Sequence, residues 1–213
     1  MRSEGPFLVS KEIVSETAKE SGLGSVLQSS NMSFPETCVW KRGKCDLRRV
    51  IIVDYDPQWP LLFQEEKRIV LEATGNKVLA VEHIGSTAVP GLGAKPIIDM
   101  MAGVRGAADA DQCIPLLRGI GYTSFTPEPR DPDHYYCCGK GPHSIGYHLH
   151  IFRFKSHRWQ KHLLFRDYLR AHPEIAQQYY ELKKELAAQY RSDRAGYTEA
   201  KTSFIESVIA KAS

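Results

Sequence analysis

The sequence predicts an α+β fold in which a small mixed β-sheet is flanked by helices and followed by a helical C-terminal tail. Mostly apolar segments typical of strands lie between residues 77 and 154. Segments with apolar residues at helical spacing lie before and after them, and one such segment interrupts the strands. Strands gathered in one stretch, with helices around it, are typical of a sheet on which helices pack.

The first elements are a short strand and a helix. VIIVDYD, residues 50–56, is rich in β-branched residues and predicts a strand that ends at Pro57. In PQWPLLFQEEKRIVLEATG, residues 57–75, apolar side chains recur at helical spacing, and Gly75 is a typical stop. A later helix is predicted at AADADQCIPLLRGIG, residues 107–121, with Pro115 either in its first turns or at a kink.

Five further strands and three helices complete the predicted sheet and tail. KPIIDMMAGV, residues 95–104, is mostly apolar and therefore predicts a strand in the centre of the sheet. The other predicted strands are KVLAVEHIG (77–85), GYTSFTP (121–127), HYYCCG (134–139) and GYHLHIFRF (146–154). Helical spacing then predicts HRWQKHLLFRDYLRAH (157–172), a helix opened by Pro173 (173–191), and a last helix after Gly196 (197–212).

Amino-acid composition predicts two parts in the chain and argues against some classes of binding partner. Residues 1–48 are Ser- and Gly-rich and predict a loosely ordered N-terminal extension before a domain at 49–213. The net charge of +3 is too balanced to favour a nucleic-acid partner, and no apolar stretch is long enough to span a membrane. The start of the chain lacks a signal-peptide core and the five cysteines show no CxxC spacing, so we expect a cytoplasmic protein without a membrane partner.

The Gly-Ser-Thr at Gly85, Ser86 and Thr87 follows a predicted strand. Gly85 permits close backbone approach, the hydroxyls can cap a turn, and backbone N–H groups there can cradle a phosphate. The same residues also suit an ordinary turn. Lys95, just beyond, is placed either to pair with phosphate or to lie in solvent.

Asp99 is a carboxylate among apolar neighbours, where it is costly unless it is ion-paired or bound to a metal. Its partner is either Lys95 or an arginine, or else a divalent cation. In HLH, His148 and His150 share one strand face, which suits metal ligation, ring stacking or phosphate binding. One of Glu82 and His83 faces the same cleft; periodicity does not say which.

Four segments resemble the GrpB family, a branch of the DNA polymerase β-like nucleotidyltransferase superfamily. They are EHIGSTAVPGLGAKPIIDMM, GYHLHIF, WQKHLLFRDYLRAHPEIAQQYYELKKELA and YTEAKTSFIESVI. The resemblance covers roughly residues 50–211. It implies a small mixed sheet flanked by helices, with the active site on the strand that follows the Gly-Ser turn.

The resemblance also implies roles for individual residues. In the superfamily a Gly-Ser pair holds the phosphates, which matches Gly85 and Ser86, and the first metal-binding acid matches Asp99. The second acid falls on Met101, whose thioether is a poor Mg²⁺ ligand, and the late strand carries His148 and His150. The expected cofactor is a divalent metal, Mg²⁺ or Mn²⁺, with Zn²⁺ as an alternative that a two-histidine, one-carboxylate set suits.

Three functions follow as alternatives. The first is transfer of a nucleotidyl group from a nucleotide to a small-molecule acceptor. Its catalytic residues are Asp99, His148 and His150, and its phosphate-binding residues are Gly85, Ser86, Thr87, Lys95 and His83. The expected metal ligands are Asp99, His148, His150 and Glu82. The second is a non-catalytic accessory domain that binds a nucleotide or coenzyme A, since the family includes domains fused to dephospho-CoA kinases. The third is metal-dependent phosphoester hydrolysis.

Arg166, Arg170 and Lys201 of the predicted tail helices are charges typical of a solvated helix face. They are also within the part of the chain that can line the predicted cleft.

Overall fold

The structure, a computed structural model, describes residues 50–128, 131–141, 146–191 and 193–212. The predicted N-terminal extension, residues 1–48, lies outside these ranges. None of the helices in the described ranges is long and apolar enough to cross a membrane.

Five strands form one mixed sheet, which confirms the predicted fold class. The strands are β1 (Val78–Ile84), β2 (Ile97–Val104), β3 (Thr123–Pro127), β4 (His134–Lys140) and β5 (Gly146–Arg153). Their order across the sheet is β1-β2-β5-β4-β3. The interior pair β2 and β5 is parallel, and the other three pairs are antiparallel. The mostly apolar β2 is thus an interior strand, as its sequence predicts.

Six α-helices accompany the sheet in the described part of the chain. They are α1 (Trp59–Thr74), α2 (Ala107–Gly119), α3 (His157–Ala171), α4 (Pro173–Tyr190), α5 (Arg194–Glu199) and α6 (Thr202–Ala212). Proline begins α4 in the first helical turn, where its missing N–H costs no hydrogen bond. The Ser156 hydroxyl caps α3 by accepting from the Trp159 N–H at 3.3 Å. Pro115 lies inside α2 and not in its first turns.

One face of the sheet packs against α1 and α2. Ile98, Met100, Leu149 and Ile151, alternate residues of the parallel strands β2 and β5, are fully buried there. The helices contribute apolar side chains such as Trp59 to the same core. The opposite face carries the other alternate residues of β2 and β5, beginning with Asp99 and His148, and the C-terminal helices lie on that side.

Two sequence predictions need correction. Residues 50–56 form no strand; Val53 makes an isolated bridge to Ala94, and the Val50 N–H bonds instead to the Arg191 carbonyl. These backbone groups go to two different segments, so no ladder can form. The last predicted helix is in fact two, α5 and α6, with a break between Glu199 and Thr202. The Asp193 carboxylate accepts from the Gly196 N–H at 2.9 Å and caps α5, which therefore starts upstream of Gly196.

Candidate functional site

A pocket of about 440 Å³ lies over the beginning of β2 and β5. Its walls come from the turn after β1, the segment before β2, the parallel strands β2 and β5, and the C-terminal helical segment. The lining residues are Ser86, Thr87, Ala94, Lys95, Ile97, Asp99, His148, His150, Lys183, Tyr197, Thr198 and Lys201. The structure therefore brings together six residues that the sequence predicts for one site: Ser86, Thr87, Lys95, Asp99, His148 and His150.

Gly85 is in contact with Asp99 because β1 and β2 pair Ile84 with Asp99. Its φ of 68° and ψ of −170° lie in a region that residues with a Cβ rarely adopt. A Cβ at this position would also lie 2.8 Å from Asp99 Oδ2. Glycine is therefore required both by backbone conformation and by the carboxylate next to it.

Asp99 and His148 form the polar centre of the pocket. The two residues are in register on the parallel strands, and His148 Nδ1 lies 3.2 Å from Asp99 Oδ1. Their side chains are 34% and 41% exposed, so both can meet a ligand. Burial alone raises the pKa of the Asp99 carboxyl, but the hydrogen bond and charge of His148, with His150 and Lys201, outweigh it and hold that pKa below its usual value.

Because an ionised carboxylate only accepts hydrogen bonds, His148 Nδ1 is the donor in this pair. The remaining nitrogen, Nε2, is then the one that can accept a proton or a metal in the neutral ring. The geometry is that of a base oriented by a carboxylate.

Thr87 has a structural part in the turn that carries Ser86. Its hydroxyl donates to the Ile97 carbonyl at 3.1 Å and lies 3.0 Å from His83 Nε2. A hydroxyl has one proton, so His83 Nε2 must be the donor in the second bond. Thr87 therefore ties the turn to the start of β2 and is only 1% exposed.

His83 does not reach the pocket. It follows Glu82 on β1 and so points to the α1 side of the sheet, where its ring stacks on Phe63 with centroids 4.6 Å apart. Its pKa is lowered to about 4, mainly by burial, with the charge of Asp99 opposing the shift and those of Arg170 and Arg166 adding to it. A neutral, buried, stacked imidazole fits a core position, in contrast to the predicted phosphate contact.

Glu82 lies on the Asp99 side of the sheet but is not among the residues that line the pocket. Arg166 of α3 holds it in an ion pair of 2.8 Å and also donates to the His83 carbonyl at 3.0 Å. Arg170 donates through two nitrogens to the Ala88 carbonyl. The two arginines thus link α3 to the end of β1 and to the turn that follows it, and Glu82 takes part in this link as an ion-pair partner.

His150 shares the strand face of His148, as its spacing predicts, but leans toward a second group of rings. Its Nδ1 lies 3.3 Å from His134 Nε2, and both rings stack with Phe152. Burial lowers the pKa of His150 to about 4, an effect that Asp99 opposes and the neighbouring histidines reinforce. His150 is therefore neutral at neutral pH and lies at the pocket floor, next to the core.

Met101 is paired with His150 and shares the face of Asp99, but it does not line the pocket. It is fully buried in a cluster with Ile84, Phe152 and Trp159 of α3. The residue that the resemblance aligns with the second metal-binding acid thus lies in the core and not in the pocket. Helix α3 therefore covers this face of the sheet at Met101, only two residues from Asp99.

The donor set limits the metal that the site can take. Across residues 50–128, 131–141, 146–191 and 193–212, no three His, Cys, Asp or Glu side chains form a metal-ligating group, so Asp99, His148 and His150 are not a preassembled set. The Asp99 carboxylate uses one oxygen toward His148. The second oxygen suits a hard cation that is bound mainly by phosphate oxygens and water, which is how Mg²⁺ is commonly held.

The sequence analysis did not predict Lys183 or Tyr197 as site residues. It gave Lys201 two alternative positions, on a solvated helix face or lining the cleft. The Lys95 and Lys201 ammonium groups lie 4.3 and 4.4 Å from the centroid of the Tyr197 ring. Lys183 is 2% exposed and donates to the Gly93 carbonyl. A weak signal was present: Lys183 falls on the apolar stripe of α4, between the buried residues Tyr179 and Leu186.

Comparison with known proteins places this geometry in a family. The family model described as GrpB protein matches residues 49–211. The UPF0157 protein YqkA of Bacillus subtilis is 38% identical over 159 residues, which are 75% of this chain and 46% of YqkA. A dephospho-CoA kinase of Mycobacterium bovis is 30% identical over 176 residues, covering 70% of this chain and 42% of the kinase. The chain thus spans less than half the length of these two relatives.

A solved structure of another protein matches the fold of this chain over nearly the whole length of that other protein. The crystal structure of conserved protein GrpB from Enterococcus faecalis superposes with a TM-score of 0.69 and 36% sequence identity. The match covers 76% of this chain and 96% of the other. Since the family model covers the sheet, the pocket and the C-terminal helices together, the chain belongs to the GrpB family.

Proposed function

We propose that this protein binds a nucleoside triphosphate in the pocket over β2 and β5 and transfers its nucleotidyl group to a small acceptor. The observation that carries the proposal is the carboxylate-oriented imidazole of Asp99 and His148, which opens into the same pocket as Ser86 and three lysines. A base beside an anion-binding wall is what phosphoryl chemistry requires, because positioning and electrostatic stabilisation supply most of its rate.

Binding relies on the turn and on Lys95. Gly85 brings the backbone against Asp99 and leaves Ser86 at the pocket wall. The Ser86 hydroxyl and the Lys95 ammonium are then donors that this wall of the pocket offers to a phosphate. An ammonium acts here as a point charge on phosphate oxygens.

His148 is the general base in this proposal. Its Nε2 takes the proton of the acceptor hydroxyl as the acceptor oxygen forms a bond to the α-phosphorus. The bond from that phosphorus to the bridging oxygen breaks, and pyrophosphate leaves with the electron pair. Asp99 stabilises the imidazolium through the Nδ1 hydrogen bond of 3.2 Å.

A divalent cation would enter with the phosphates. Asp99 is the carboxylate that would hold it, and Mg²⁺ or Mn²⁺ would neutralise charge on the phosphate chain. The geometry favours this arrangement over a resident zinc ion, because the described residues offer no three-ligand group. Hydrolysis at a histidine-bound metal loses its support for the same reason.

One comparison favours a second candidate, a binding domain without turnover. The relative from Mycobacterium bovis is named a dephospho-CoA kinase, and this chain matches 42% of it. A domain of this family that accompanies such an enzyme would bind a coenzyme A-like or nucleotide ligand through the same phosphate-binding wall. Dephospho-CoA that competes with nucleotide, with no turnover of either, is the result that would favour this candidate.

The test combines binding and turnover. Isothermal titration with each of four nucleoside triphosphates and Mn²⁺ should show saturable binding, and a pyrophosphate-release assay should show turnover. His148→Gln should lower turnover at least about 100-fold while binding changes little, since a general base contributes about 10²–10⁴-fold. Absence of binding for all four nucleotides would refute the proposal.

The chain offers a matched control for His148. His172 is 42% exposed and lies 3.2 Å from the Glu174 carboxylate, so it copies the exposure and pairing of His148 outside the pocket. His172→Gln should leave turnover unchanged. Equal losses in the two variants would show that His148 acts through general effects on the protein and not as the base.

A further inference from the structure

We propose that the C-terminal helices give the pocket a separate subsite for the terminal phosphates of its ligand, formed by Lys183, Lys201 and the ring of Tyr197. The subsite selects ligands with a di- or triphosphate chain over monophosphates. The inference rests on the proposed function only in taking the ligand to be a nucleotide; the subsite itself requires only a polyphosphate anion.

Lys183 is the strongest evidence for the subsite. Its side chain, on α4, is 2% exposed, donates to the Gly93 carbonyl, and lies 4.9 Å from the Tyr179 ring centroid. Among the described residues no carboxylate pairs with it; burial and the charge of Lys201 set its pKa at about 7. A buried ammonium without a counter-ion is costly, and an anion in the pocket that it lines would relieve that cost.

Lys201 approaches the same space from the link between α5 and α6. Burial lowers its pKa, and Asp99 is the carboxylate whose charge opposes that effect. Its ammonium lies over Tyr197, as the Lys95 ammonium does, and the ring is 1% exposed. One fixed ring thus positions two cations at the pocket wall, since an aromatic face attracts an ammonium.

The charge balance of the pocket identifies the class of ligand. Lys183 and Lys201 line it, and Asp99 is the carboxylate that lines it with them. Asp99 carries one negative charge and also lies 3.2 Å from His148 Nδ1, so it does not balance both ammonium groups. The excess positive charge fits several phosphate negative charges, and the pyrophosphate part of a triphosphate supplies them.

The direct test uses inorganic pyrophosphate and tripolyphosphate as probes. Titration of the full chain without metal or nucleotide should show binding that Lys183→Met and Lys201→Met each weaken at least about tenfold. Lys184→Met is the matched control, because Lys184 is the next residue of α4 but is 46% exposed and pairs with Glu181. Its affinity should stay within about twofold of the wild type. Equal affinity in wild type and Lys183→Met would overturn the inference.

Folding must be separated from binding in these variants. Lys183→Met removes a buried charge, so thermal melting should show a midpoint equal to or above that of the wild type. If Lys183→Met does not fold, Lys201→Gln decides: this side chain is only partly buried, and unchanged pyrophosphate affinity in it would overturn the inference.

The test also separates this inference from the proposed function. Pyrophosphate binding that depends on Lys183, together with no nucleotide turnover, supports the subsite and refutes the transferase. Turnover with the same KM for a triphosphate in wild type, Lys183→Met and Lys201→Met refutes the subsite and leaves the transferase intact. A further expected result is that a nucleoside triphosphate binds more tightly than its monophosphate in wild type and that Lys183→Met narrows this difference.

Discussion

The sheet face that carries Asp99 has two parts: an open half at Asp99 and His148, which lines the pocket, and a closed half at Met101, which α3 covers. Asp99 and Met101 are only two residues apart. At Asp99 and His148 the side chains are about one-third and two-fifths exposed and line a pocket. At Met101 the side chain is fully buried beneath Trp159 of α3. Two residues along a strand amount to about 7 Å. The position of α3 therefore sets the boundary between the pocket and the core, and this boundary lies between Asp99 and Met101.

The largest effect on stability is expected when a carboxylate is introduced into the closed half, at Met101. Met101→Asp would place an unpaired carboxylate in a dry cluster and should destabilise the protein by about 3 to 5 kcal/mol. Urea denaturation measures the loss, and Met101→Leu, which conserves volume, should cost less than about 1.5 kcal/mol. A stable Met101→Asp variant with increased Mn²⁺ affinity would show that the pocket extends beneath α3.

The turn that bounds the open half should be nearly as sensitive. Gly85→Ala requires a disfavoured backbone conformation, at about 1 to 3 kcal/mol, and a Cβ within 2.8 Å of Asp99 Oδ2. We expect lower stability together with loss of nucleotide affinity. Gly119→Ala is the control, because a Cβ there meets no atom within 4 Å. Similar thermal midpoints for the two variants would contradict the close-approach argument.

Acid should lower the stability of the fold through two half-buried imidazoles, that of His150 in the pocket and that of His162 of α3, whose ring centroid lies 5.3 Å from that of Phe152. Burial is the main cause that lowers the pKa of His150 and of His162 to about 4, against an ordinary value of 6.5. The unfolded chain therefore binds more protons between these values, so stability is full above pH 6.5 and falls as the pH drops toward 4. Urea midpoints measured from pH 7 to pH 4 should show this decline, and His162→Phe should make it shallower. An unchanged pH dependence in His162→Phe would exclude His162 as a source of the decline.

The smallest effect on stability is expected at Asp99. His148 and the charge of Lys201 favour the ionised Asp99 carboxylate, so Asp99→Asn removes favourable interactions and not repulsion. Because the pair with His148 is partly exposed, the loss should be below about 1 kcal/mol, a shift of a few degrees in the melting midpoint. Nucleotide turnover should fall far more than stability. A variant that unfolds would make Asp99 a structural ion-pair partner.

Most of the fold was predictable because its elements have local causes. Helical spacing and Gly75 predicted α1, and alternation placed Asp99 opposite to Ile98 and Met100 on β2. The spacing of HLH placed His148 and His150 on one face. Two local predictions failed. Residues 50–56 have strand composition but their backbone partners lie in two different segments. The last predicted helix starts earlier than expected, at the Asp193 cap, and is broken between Glu199 and Thr202.

The sequence by itself determined which residues are neighbours on a strand or helix, and hence the turn at Gly85 and the faces of β2 and β5. Only the tertiary structure decided which of those residues meet a ligand. The parallel pairing of β2 with β5 brought His148 to Asp99, 49 positions away in the chain. The packing of α3 closed the face at Met101, and the C-terminal helices brought Lys183 and Lys201 into the pocket. The physical reason is that periodicity reports the direction of a side chain from its own element, whereas exposure and charge depend on what a distant segment places opposite to it.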